Sequence, residues 1–160
     1  MYKRILVPLD GSKVGEAALA YVEELLSDLL PEAEVEVTLF QAMSSLTPSI
    51  VAGEARASIP YTKKDMEQIK KKAIDYLGEA GEGLRSKGVV VGTRVKTRMG
   101  ICNAAEEIIK AANEINANLI AISTHGSSGL TRWAFGSVTD KVLRGANVPV
   151  LMVRALKRVK

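Results

Sequence analysis

The sequence contains one histidine and one cysteine, so the groups able to do chemistry are few and their neighbourhoods decide what they are for. The densest neighbourhood is STHGSSGLTRWAFGSVTD, residues 123–140. Gly126, Gly129 and Gly136 let the backbone turn there and approach a ligand closely, with hydroxyl side chains around them. Successive N–H groups in such a loop form a concavity for anions, and Ser137 opens a helix whose first donors and positive dipole end favour phosphate. His125 lies inside the loop, where it reaches a phosphate or else packs or faces solvent. The P-loop pattern G-x-x-x-x-G-K-[ST] is absent, so the loop alone serves equally well as a long turn. Asp10, in PLDGS, is the second candidate. A carboxylate just past an apolar run suits a ribose hydroxyl pair, and equally caps a helix starting at Ser12.

Other chemistries lack their parts. One histidine and one cysteine do not supply a nucleophile with its base and orienter, and no His, Cys or carboxylate cluster has metal-ligand spacing. The expectation is a binding module and not an enzyme. Cys102 falls near a helix start that would favour a thiolate, or fills a small apolar place. Alone it makes no internal disulfide, which fits a reducing cytoplasm. No apolar stretch approaches the roughly 20 residues of a membrane span, and the run in YKRILVPLDGS is too short for a signal-peptide core. The net charge of +4 is modest. Arg154, Lys157, Arg158 and Lys160 crowd the C-terminus without interleaved aromatics, so residues 155–160 read as a solvated basic tail and not as a nucleic-acid contact.

Positioning these groups falls to a chain of 160 residues, the size of one domain spanning 1–160. With 47% hydrophobic but only 4% aromatic residues, its core is one of Val, Ile, Leu and Ala, the filling of a parallel sheet under helices. RILVPL is a buried strand. From Ser12, apolar positions recur at helical spacing until Pro31. VEVTLFQAM alternates as a second strand. Residues 44–60 have two prolines and no period, and read as a long loop. A charged amphipathic helix covers 62–87, bent near Gly78, Gly81 and Gly83, whose helical context argues against a dinucleotide fingerprint. Strand, helix, strand follow at 89–100, 103–116 and 117–123, and after the glycine-rich loop a helix from Ser137 and the strand VPVLMVR. The expected fold is α/β: an open five-stranded parallel sheet, order 3-2-1-4-5, with helices on both faces.

Such a sheet binds ligands beyond the carboxyl ends of its strands, where the winding reverses. Strands one and four flank that point, so PLDGS and the glycine-rich loop face each other across one cleft. The main-chain edge near Ala42, ending strand two, is placed to read a base.

Assembled in this way, the chain resembles the universal stress protein family over essentially its full length. YKRILVPLDGS looks like that family's opening strand and aspartate. Gly126, nine residues, then Gly136-Ser137 match most of its ATP-binding pattern, G-x-x-G, nine residues, G-[ST], and GSVTDKVLRGANVPVLMVR continues in the same style. Ser123 departs from it, standing where the first glycine belongs. The resemblance implies a Rossmann-like, adenine nucleotide alpha hydrolase-like fold that binds ATP, with Mg²⁺ or Mn²⁺ entering through the phosphates. It also implies that Pro8, Leu9 and Asp10 line the adenosine side, that Ala42 meets the base, and that Ser123, Gly126, Gly136, Ser137 and Val138 hold ribose and phosphates. The function expected is an ATP-dependent regulatory or stress-response module. The alternatives are a slow ATPase and, given Ser123, a nucleotide-free dimeric adaptor. Val148, Val150, Leu151, Met152 and Val153, on a last strand at the sheet edge, are the expected homodimer contact.

Overall fold

A computed structural model describes residues 3–29, 34–44, 46–48, 58–98, 103–124 and 136–154. In chain order the elements are β1 (Arg4–Pro8), α1 (Ala17–Leu29), β2 (Glu36–Ser44), β3 (Leu46–Pro48), β4 (Ser58–Pro60) and α2 (Lys63–Ala80). There follow α3 (Glu82–Ser86), β5 (Val90–Arg98), α4 (Ala104–Glu114), β6 (Leu119–Ser123), α5 (Ser137–Gly145) and β7 (Val150–Val153).

Five strands form one parallel sheet in the order β5-β2-β1-β6-β7. This is the expected 3-2-1-4-5 winding. Alternation along each strand divides its side chains between two cores. Ile5, Val7, Val37, Leu39, Leu119 and Ala121 pack with Ala18, Val22 and Leu26 of α1, Leu77 of α2 and Leu84 of α3. Leu6, Phe40, Ile120 and Ile122 turn the other way, against Ala105, Ile108, Ala111 and Ala112 of α4 and Val142 of α5. Both faces are therefore covered, as a parallel sheet requires. Ile5, Leu6, Leu26, Leu39, Leu77 and Ile120 are fully buried, and each such side chain contributes about 1.5–3 kcal/mol.

Local rules fix most element ends. Thr62 and Asp65 cap α2 reciprocally: the Asp65 N–H donates to Thr62 Oγ1 at 3.1 Å, and the Thr62 N–H donates to Asp65 Oδ2 at 3.1 Å. The long helical segment breaks at Gly81, between α2 and α3. Gly83 lets α3 approach α1, since a Cβ there would fall on the Glu23 carboxylate.

Two expectations change. Regular helix begins at Ala17, a turn after the expected cap at Ser12, whose side chain accepts the Gly15 N–H at 3.0 Å and whose carbonyl accepts the Glu16 N–H at 3.3 Å. The segment read as one loop carries β3 and β4, paired antiparallel with Thr47 opposite Ile59. Residues 49–57 of that segment, Cys102 and the tail at 155–160 lie outside the described residues. Among the described residues no helix is long and apolar enough to cross a membrane.

Candidate functional site

The carboxyl ends of β1, β2 and β6 and the starts of α4 and α5 surround a cavity of about 200 Å³. Pro8, Leu9 and Asp10 reach it from β1, Ala42 from β2, Ser123 from β6, and Gly136, Ser137 and Val138 from the entry to α5. These expected residues, distant in sequence, are thus brought to one place. His125 and Gly126 lie outside the described residues.

Six further residues line the cavity without having been singled out: Gly15, Phe40, Ala104, Ile108, Ile122 and Thr139. Their signals are periodic. Phe40 is two residues before Ala42 and so on the same strand face, Ala104 and Ile108 share a helix face, and Ile122 directly precedes Ser123. Together they make one wall apolar. Phe40, Ile108 and Ile122 are each at most 5% exposed, so the floor belongs to the packed core.

The β1–α1 turn is built by short-range bonds. Asp10 Oδ1 accepts from the Ser12 N–H at 3.0 Å and from the Ser12 hydroxyl at 2.6 Å, and Ser12 Oγ accepts from the Gly15 N–H at 3.0 Å. The local-turn role of Asp10 is therefore present, in a residue that also faces the cavity. Gly11 makes the reversal with φ +82°. A Cβ on Gly15 would lie 2.5 Å from Asp10 Oδ1, so a side chain there would displace the carboxylate.

Ser123 is 6% exposed, and its hydroxyl faces α1. The hydroxyl donates to the Gly15 carbonyl at 2.7 Å and accepts the Ala18 N–H at 3.0 Å. Its backbone carbonyl accepts the Thr139 hydroxyl at 2.9 Å. One residue at the end of β6 thereby joins the start of α1 to that of α5. Across the cleft, the Gly136 N–H donates to the Thr124 carbonyl at 2.9 Å, drawing together the ends of the segment 125–135. A Cβ on Gly136 would stand 3.2 Å from that carbonyl oxygen.

Three helices start at the cavity, and their first donors differ. Ahead of and into α1, the N–H groups of Ser12, Gly15, Glu16 and Ala18 are bonded to Asp10, Ser12 and Ser123. α4 and α5 start from Asn103 and Gly136 without a side-chain cap. Unsatisfied helix-start donors favour an anion, and α4 carries two acids in its first turn, Glu106 and Glu107, against Asp140 alone in α5, which makes α5 the better anion end of the two.

A second cleft, of about 340 Å³, lies between β5 and α4 and shares Phe40. It is larger, yet it lies along the sheet edge, and its charges meet across it, as Arg94 does Glu114 at 3.3 Å. The cavity at the strand ends is the better candidate. Among the described residues no group of three or more His, Cys, Asp or Glu could hold a metal ion.

Known proteins share this fold. The universal stress protein family model matches residues 1–154. Universal stress protein MJ0577 of Methanocaldococcus jannaschii is 31% identical over 170 residues, covering 96% of each chain. The solved structure of MJ0577 superposes with a TM-score of 0.71 at 23% identity, over 98% of this chain and 99% of that one. The universal stress protein from Archaeoglobus fulgidus, solved in complex with dAMP, gives 0.60 at 23% identity over 95% and 98%. A universal stress protein family protein from Arabidopsis thaliana, solved with AMP bound, gives 0.62 at 15% over 96% and 92%. From the match over residues 1–154 and the curated relative across 96% of its length, the chain belongs to the universal stress protein family.

Proposed function

We propose that this protein binds ATP at the carboxyl ends of β1, β2 and β6 and acts as a nucleotide-dependent regulatory module of the stress response, a single domain at home in the cytoplasm. The observation that carries the reading is the division of the cavity: one wall apolar, one wall carboxylate, and an uncapped helix start opposite. The purine stacks over Phe40, Ile108 and Ile122. β2 runs on to Ser44, past the last β1 pairing of Pro8 with Phe40, which leaves the main chain near Ala42 at the base edge. Asp10, beside Pro8 and Leu9, meets the ribose hydroxyls. The phosphates lie on Ser137, Val138 and Gly136, with Ser123 behind them and His125 and Gly126 supplied by the glycine-rich segment. Mg²⁺ or Mn²⁺ would be held mainly by phosphate oxygens and water. The AMP and dAMP bound by the two family proteins support an adenine nucleotide. The same reading includes a homodimer through β7.

Calorimetry tests this directly. ATP is expected to bind with a Kd of about 1 µM or tighter, roughly −8 kcal/mol, and Gly136→Val to abolish binding by pressing on the Thr124 carbonyl. Unchanged affinity in that variant would refute the placement. Turnover above about 1 s⁻¹, the low end of ordinary enzymes, would make the protein an ATPase instead of a sensor. Mass spectrometry of the denatured protein for co-purified nucleotide separates binding from a nucleotide-free adaptor.

A further inference from the structure

The β1–α1 turn is held from below by a residue that does not line the cavity. Tyr76, on α2, donates its hydroxyl to Glu16 Oε1 at 3.2 Å, and the Gly11 N–H lies beside it. Burial, the neighbouring Glu16 charge, the bond to Glu16 and the Asp10 charge together raise this phenol well above its ordinary range, while the Gly11 N–H acts in the opposite sense. It stays protonated and donating. Glu16 is steadied from its other side by Lys13, at 2.9 Å. Tyr76 therefore meets the turn at both ends, bonded at Glu16 and beside the Gly11 N–H.

Between those two points lies Ser12, which gives Asp10 two bonds. Ser12, whose N–H and hydroxyl both hold Asp10 Oδ1, directly follows Gly11. Gly15, which must stay clear of that oxygen, directly precedes Glu16. A shift of the turn rotates the carboxylate. We propose that Tyr76 is a positioning residue for nucleotide selectivity: through Gly11 and Glu16 it sets the Asp10 carboxylate for a pair of ribose hydroxyls, and so decides preference for ribonucleotides over sugars lacking them. This rests on the ATP reading above. Its chemistry is specific, because a carboxylate accepts two hydroxyl donors and gains nothing from a sugar that carries neither. The effect passes from α2, which follows the β3–β4 segment, to a site that α2 does not touch.

The test compares ATP with 2′,3′-dideoxy-ATP by calorimetry on the wild-type protein and on Tyr76→Phe, which keeps the ring and removes only the hydroxyl. Wild type is expected to prefer ATP, and Tyr76→Phe to lose about tenfold for ATP while dideoxy-ATP is held as before, the scale of one hydrogen bond to a charged group. Glu16→Ala, which releases the turn from its other end, should collapse the same ratio. Amide hydrogen exchange of the ligand-free proteins gives a second readout, with faster exchange expected at Gly11 in Tyr76→Phe. Equal losses for both nucleotides would make Tyr76 a merely structural residue, and an unchanged ratio would remove it from selectivity altogether. Unaltered exchange at Gly11 would overturn the tether itself. A wild-type protein that binds neither nucleotide but shows the exchange difference overturns the ATP reading, and the selectivity role with it, while leaving the tether standing.

Discussion

Ser123 shows how much one atom changes at the scale of a residue. Its hydroxyl both accepts from and donates to the backbone at the start of α1, from a position only 6% exposed. Ser123→Ala leaves the Ala18 N–H and the Gly15 carbonyl without that partner. The expected cost is about 1–3 kcal/mol, the penalty of stranded buried polar groups. Thermal unfolding without ligand should show it as a Tm lowered by about 2–4 °C per kcal/mol for a chain of this size; an unmoved Tm would mean the hydroxyl contributes nothing. Asp10 and Ser123 were both legible as candidates, because residue type and strand end mark them. Their present bonds were not. Whether Asp10 braces a turn depends on Gly15 coming within reach, and nothing in DGSKVG alone states that the turn closes so tightly.

At the scale of elements, the strands and helices could be read because both periods are clean: Ile5, Val7 and Leu9 to one core, Leu6 to the other. Reading failed where side-chain bonds override period. Ser12 makes the capping bond its type suggests, to the Gly15 N–H, yet regular helix starts a turn later, at Ala17. Thr47 and Ile59 pair across a segment whose prolines hide any alternation. The two sheet edges also differ. β5 carries Arg94, Lys96 and Arg98 with no acid, so self-pairing there would set like charges together. β7 reads VLMV, with every residue only partly buried and one side paired to β6. Self-association is therefore expected on β7, antiparallel across a two-fold axis. Sedimentation equilibrium should give a dimer at tens of micromolar and a monomer for Met152→Lys. A monomeric wild type, or a lysine variant still fully dimeric, would sink that arrangement.

For the molecule as a whole, ligand binding and folding are one equilibrium. A ligand held only by the native state at a hundred times its Kd adds about 2.7 kcal/mol, so saturating ATP should raise the melting temperature by about 5–10 °C. No rise on adding ATP would count against native-state binding of that strength. Ser137 already marked a helix start suited to phosphate; that the donors ahead of α1 are taken emerges only when the bonds of Ser12 and Ser123 are traced. Those same bonds have a consequence for how the cleft behaves. The end of β6 grips α1 through the Ser123 hydroxyl and α5 through its carbonyl and Thr139, so the two walls share one anchor and cannot swing apart independently. The socket is preorganised: its walls lose their freedom when the chain folds, and a ligand arriving later meets them already set.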